Sequence, residues 1–108
     1  MNAKYFDLEG KRVFITGGGS GIGASIVEHF CQQKSEVFFI DINEEASNNL
    51  IMECKNKNFN IPKFIKCDLL NIKDLKSTIS KIISENGPIE ILVNNAANDE
   101  RHKIEEVT

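Results

Sequence analysis

The chain has 108 residues, 41% of them apolar and 27% charged, with a formal net charge of −3 and a pI near 5.4. That length supports one domain around one core. The acidic balance, with no basic block, argues against nucleic acid or an anionic membrane surface as the main partner. The longest apolar run, Val37-Phe38-Phe39-Ile40, is far short of a membrane span, and the N-terminal stretch MNAKYFDLEGK lacks the apolar core of a signal peptide. Cys31, Cys54 and Cys67 show neither C-x-x-C nor zinc-type spacing, and two histidines leave little material for a metal site. Buried reduced thiols in a soluble, cytoplasmic α/β protein are the expectation.

Two periodicities alternate along the chain. Arg12-Val13-Phe14-Ile15-Thr16 is a short apolar run ending in glycines, which predicts a buried strand. From Gly21 to about Gln33, the apolar residues Ile22, Ile26, Val27, Phe30 and Cys31 share one helical face. Val37 to Ile40 is a second strand, closed by Asp41. Asn43 is placed to cap a helix whose first turn carries Glu44 and Glu45, favourable at the positive end of the helix dipole. Its buried face is Ala46, Leu50, Ile51 and Cys54. A loop from Lys55 to Asn60 leads to a third strand, Phe64 to Cys67. Asn71 with Asp74 resembles a weak capping box. Ile72, Leu75, Ile79, Ile82 and Ile83 form the stripe of that third helix, which Gly87-Pro88 stops. Ile89 to Val93 is the fourth strand, and a polar stretch from Asn98 leads to the end.

Alternating strands and helices imply stacked βαβ units and a parallel sheet. Strands that are near-continuous apolar runs suit a sheet covered on both faces. The expected fold is a Rossmann-type doubly wound α/β sheet of order 3-2-1-4, incomplete on its C-terminal side. A ligand crevice then lies at the carboxyl ends of strands one and four, where the order switches.

After strand one comes Thr16-Gly17-Gly18-Gly19-Ser20-Gly21-Ile22-Gly23. Glycines there let phosphates approach the backbone, and the helix that follows offers N–H groups and a positive dipole end. No Gly-Lys-Ser/Thr follows, so this is not a P-loop. Glycine-rich strand-to-helix turns also exist without ligands. Asp41, at the end of strand two, is placed to accept from both adenosine ribose hydroxyls, or else only to start a turn. Its carboxylate would repel a 2′-phosphate, and neither Ser20 nor Ile42 supplies a compensating base, so NAD is favoured over NADP.

Thr16-Gly17-x-x-x-Gly21-Ile22-Gly23, Asp41, Cys67-Asp68-Leu69 and Ile91-Leu92-Val93-Asn94-Asn95-Ala96-Ala97 resemble the N-terminal half of a short-chain dehydrogenase/reductase. The resemblance spans almost the whole chain. It implies that the turn, through Gly17, Gly19, Ser20, Gly21, Ile22 and Gly23, holds a dinucleotide pyrophosphate. It further implies that Asp41, with Ile42 beside it, holds the ribose, that Asp68 bonds the adenine amino group and that Leu69 packs near the ring. Asn94, Ala96 and Ala97 would line the cofactor beside the central strand, Ala97 standing where many members have glycine. On the residues alone, Asp68 reads also as a loop carboxylate before a cap, and Asn95 either as a tie between strand ends or as a direct cofactor contact. Asn98 to His102 is similar to sugar-oxidising members, with xylose or glucose dehydrogenases the nearest comparison, although a solvated loop gives the same pattern. No role is assigned to His29.

The family's chemistry uses an Asn, a Ser and a Tyr-x-x-x-Lys from the second half of the fold. The one tyrosine here, Tyr5, has no Lys four residues on. Residues 1–108 are therefore expected to be the N-terminal part of a single NAD(P)-binding Rossmann domain, a truncated form or fragment that is inactive alone. The complete protein would be an NAD-dependent oxidoreductase acting on a small-molecule alcohol or carbonyl substrate. The alternative is a non-catalytic nucleotide-binding or interaction chain; a methyltransferase is disfavoured by Asn94-Asn95-Ala96. An uncovered fourth strand leads to the expectation of a homo-oligomer.

Overall fold

The computed structural model of the protein describes residues 8–19 and 21–95. Its elements run β1 (Arg12–Thr16), α1 (Gly21–Gln32), β2 (Glu36–Asp41), α2 (Glu44–Asn56), β3 (Lys63–Lys66), α3 (Ile72–Asn86) and β4 (Ile91–Asn94). All strands pair in parallel, β1 with β2 and β4, and β2 with β3. The sheet order is β3-β2-β1-β4, the doubly wound arrangement expected from the sequence.

Alternation along the strands divides the core in two. Val13, Ile15, Val37 and Phe39 point to one face, where Val27, Cys31, Leu50 and Cys54 from α1 and α2 meet them. Phe14, Phe38 and Ile40 point to the other, where Cys67 and Ile82 join them and Leu75, Ile79 and Ile89 pack alongside. All three cysteines are free and buried. Burial pushes their thiols up, so they stay protonated at neutral pH.

Local chemistry sets the helix ends. Asn43 Oδ1 accepts from Ala46 N–H at 3.0 Å and Asn71 Oδ1 from Asp74 N–H at 3.0 Å. The capping box at Asn71 is not reciprocal, because Asn71 N–H donates to the Asp68 carbonyl instead. At the amino ends of the strands Arg12 ties three elements together. Its guanidinium meets Glu36 Oε1 at 2.9 Å and donates to the Pro88 carbonyl at 3.0 Å, while its backbone N–H donates to Glu90 Oε1 at 2.8 Å.

Several boundaries and faces differ from expectation. β3 starts at Lys63 and β4 at Ile91, one residue early and two residues late, and α2 continues past Lys55 to Asn56. Pro88 and Glu90 account for β4: Pro has no N–H to donate, and Glu90 bonds Arg12 through both its N–H and its carboxylate before the ladder starts. Ile22, Ile72 and Ile83 are exposed instead of buried. Ile22 and Ile72 lie in the first turns of their helices, and Ile83 is one residue round the helix from buried Ile82. No helix among the described residues is long and apolar enough to cross a membrane.

Among the described residues, β4 is covered on one face only. Ile91 and Val93 pack on the larger core, whereas Leu92, paired with buried Phe14, is 64% exposed. Phe39→Ala should therefore cost about 3–5 kcal/mol, as for truncation of a fully buried aromatic, and Leu92→Ala less than about 0.5 kcal/mol. Urea midpoints of the two variants check this. Similar losses from both would contradict the uneven covering of the sheet.

Candidate functional site

The carboxyl ends of the strands gather the sequence-predicted residues at one edge. Gly17 and Gly18 N–H both donate to the Ile40 carbonyl, at 2.9 and 3.2 Å, which folds the turn after β1 across the end of β2. Gly18 allows the close packing beneath: a Cβ there would stand 2.8 Å from both Phe39 Cβ and Val27 Cγ2. The turn then enters α1 at Gly21, whose φ of +59° favours glycine and whose side-chain position faces open space. At Gly23 α1 comes into backbone contact with β1. A Cβ would collide with the Gly17 carbonyl oxygen and lie 2.8 Å from Asn95 Nδ2.

Asn95 Nδ2 donates to that Gly17 carbonyl at 3.0 Å, and Thr16 Oγ1 donates to Asn94 Oδ1 at 2.9 Å. Asn95 is thus a tie between strand ends, one of its two sequence readings. Asn94 is the exposed last residue of β4 and is bonded to β1 from the side. Neither Thr16 nor Gly18 was among the sequence-predicted site residues. Only a hydroxyl opposite an amide across β1 and β4 hinted at the first, and that requires the register.

Asp41 closes the arrangement on the other side. Its Oδ2 accepts from Gly19 N–H and its Oδ1 from Asn43 N–H, each at 2.8 Å. The carboxylate therefore starts a turn, and it also pins the glycine segment. A carboxylate has about four lone-pair sites, so two backbone donors leave capacity for a ligand's hydroxyls. Cys67 N–H donates to the Asp41 carbonyl at 3.2 Å, which puts Asp68 on the neighbouring strand end. Asp68 Oδ1 accepts from Leu70 N–H at 2.9 Å, and its side chain is exposed. Leu69 packs on the smaller core. Ile22 and Ile42 are exposed at 72% and 63%, and both flank the glycine and Asp41 positions in sequence. Ser20, Ala96, Ala97 and the segment Asn98 to His102 lie outside the described residues.

The set can hold an anionic, hydroxyl-bearing ligand. The opening phase of a helix carries N–H groups without intrahelical acceptors, the glycines leave that backbone approachable, and two carboxylates stand further along the same edge. A groove of about 400 Å³ lined by Ser35, Val37, Phe59 and Ile61 lies at the opposite, amino end of β2 and β3 and shares no residue with this set. Among the described residues no group of three or more His, Cys, Asp or Glu is arranged to hold a metal.

The two glycines of α1 differ in kind, which sets an order of tolerance. Gly23→Ala drives a methyl group into backbone and should cost about 3 kcal/mol or more. Gly21→Ala meets nothing and pays only for its backbone angle, about 1–2 kcal/mol. Thermal melts of both variants read the order directly, and the reverse order would refute the backbone contact at Gly23.

The family model for short chain dehydrogenases matches residues 11–108. The D-xylose 1-dehydrogenase of Caulobacter vibrioides is 45% identical over 107 residues, covering 99% of this chain and 41% of that protein. A probable galactose dehydrogenase of Rhizobium meliloti is 38% identical, covering 99% and 42%. Among solved structures, the hydroxysteroid dehydrogenase of Escherichia coli superposes with a TM-score of 0.75 at 32% identity, covering 86% of this chain and 39% of that one. The chain spans between 30% and 42% of the length of the curated relatives it matches. With its parallel 3-2-1-4 sheet and glycine turn, the chain belongs to the short-chain dehydrogenase family of oxidoreductases.

Proposed function

We propose that residues 1–108 are the N-terminal part of one NAD(P)-binding Rossmann domain, and that the complete protein passes hydride between NAD(H) and the alcohol or carbonyl carbon of a sugar. The observation that carries the cofactor reading is the Asp41 carboxylate, held by two backbone N–H groups at the end of β2 beside the glycine turn. Gly17, Gly19, Ser20, Gly21, Ile22 and Gly23 would take the pyrophosphate, Asp41 and Ile42 the ribose, and Asp68 and Leu69 the adenine side. Asn94, Ala96 and Ala97 would line the nicotinamide half. When bound, the dinucleotide supplies the hydride chemistry; this chain's residues orient it and exclude the 2′-phosphate by charge. The sugar assignment is supported by the xylose and galactose dehydrogenases among the relatives and by the Asn98 to His102 similarity. A cytoplasmic location follows from the same reading, as does association of copies through the half-covered β4.

Fluorescence titration should show NADH binding more tightly than NADPH, and Asp41→Ala should weaken NADH by about 1–3 kcal/mol for loss of a charged hydrogen bond. Equal or tighter NADPH binding would refute the Asp41 assignment. Catalysis is tested separately. The 108 residues with aldoses and NAD should stay at background, since a missing acid/base group alone costs about a hundred- to ten-thousandfold. A longer chain carrying the Ser and the Tyr-x-x-x-Lys should reduce NAD with aldoses in preference to steroids or acyl-thioester ketones. Turnover confined to the non-sugars rejects the substrate class, and turnover by the 108 residues rejects their silence.

A further inference from the structure

Ser47 stands on α2, fully buried, and is one of three buried polar side chains among the described residues. Its Oγ donates to the Asn43 carbonyl at 2.7 Å, a bond to its own helix's cap that does not by itself require burial. What it faces is Gly19. A Cβ on Gly19 would stand 2.5 Å from Ser47 Oγ, 2.9 Å from Asp41 Oδ2 and 3.0 Å from Asp41 Cγ. The glycine turn and the first turn of α2 are therefore separated by no more than a glycine hydrogen.

These contacts close a ring. Gly19 N–H donates to Asp41, Asp41 accepts from Asn43 N–H, the Asn43 carbonyl accepts from Ser47, and Ser47 abuts Gly19. Asn43 also caps α2 through Ala46 N–H, so the carboxylate and the helix end move as one body. Bulk added at the Ser47–Gly19 contact pushes that body away from the turn.

We infer that Ser47, acting through Gly19, is a positioning residue for dinucleotide selectivity: it sets where the Asp41 carboxylate stands without itself touching the dinucleotide. The inference rests on the cofactor reading above. A hydrogen bond to a ribose hydroxyl fails once the acceptor moves by about 1 Å, and repulsion of a 2′-phosphate falls with distance. One displacement thus weakens the preferred nucleotide and relieves the rejected one.

The test is titration of the 108-residue chain with NADH and NADPH in four forms: the parent, Gly19→Ala, Ser47→Val and the double variant Gly19→Ala/Ser47→Gly. Circular dichroism identifies the forms that are folded. The NADH-over-NADPH affinity ratio should fall at least tenfold in each single variant. The double variant, which removes the hydroxyl nearest the new methyl group, should regain at least half of that loss on a logarithmic scale. A purely structural contact would weaken both nucleotides by the same factor and leave the ratio unmoved, which overturns the inference; so does a double variant that regains nothing. Should Gly19→Ala not fold, Ser47→Val approaches the same contact from the helix and decides alone. A parent without preference for NADH overturns the cofactor reading and this inference together. A parent with that preference, and an unmoved ratio in the variants, overturns this inference only.

Discussion

The contact between α1 and the end of β1 is made by backbone alone, and the arrangement of the site depends on it. At Gly23 there is no room for a methyl group between the helix and the Gly17 carbonyl. That approach brings the first turn of α1, whose N–H groups have no intrahelical acceptors, over the sheet edge. The same carbonyl receives Asn95, so the end of β4 is located by the turn as well. The glycine turn, the start of α1 and the end of β4, 78 residues on from Gly17, thus share one reference atom.

Under the proposed cofactor reading, Asp41 is a single group that answers to two demands. A carboxylate that only started a turn would not need to bond Gly19, and one kept free for a ligand would be poorly oriented. Bonded by Gly19 and Asn43, it is held in one direction while acceptor sites remain. Preorganisation of this kind lowers the cost of ordering a side chain on binding. It also means that removal of the carboxylate disturbs the turn, because Gly19 N–H loses its partner.

Much of the fold was legible because its determinants are local or periodic. Apolar runs such as Val37 to Ile40 announce strands buried on both faces, and the caps at Asn43 and Asn71 act within three residues. The sheet order followed once the third crossover was taken to reverse the direction of the first two. Burial of single helix positions was less legible. A 3.6-residue period puts Ile72 within about 20° of Ile83 and about 80° from Ile82, but does not say which side of that stripe meets the sheet, and Ile72 and Ile83 are exposed. At the site, the glycines and both carboxylates could be read from spacing. Ser47 could not, because a serine inside a helix carries no signal of the turn it abuts, 28 residues earlier in the chain at Gly19.

The wholly parallel pairing also dictates how the chain must find its shape. With no hairpin anywhere in the described sheet, even the first ladder, Arg12 to Glu36, joins residues 24 apart, and the contacts of β4 with the glycine turn join residues 78 apart. Closing the longer loop costs about 1 kcal/mol more in chain entropy than closing the shorter. A nascent chain can assemble β1, α1 and β2 as soon as they leave the ribosome, but Thr16 and Gly17 must wait for Asn94 and Asn95 to be synthesised. The glycine turn, encoded early, is thereby completed late, and the order of translation builds a delay into its closure against β4.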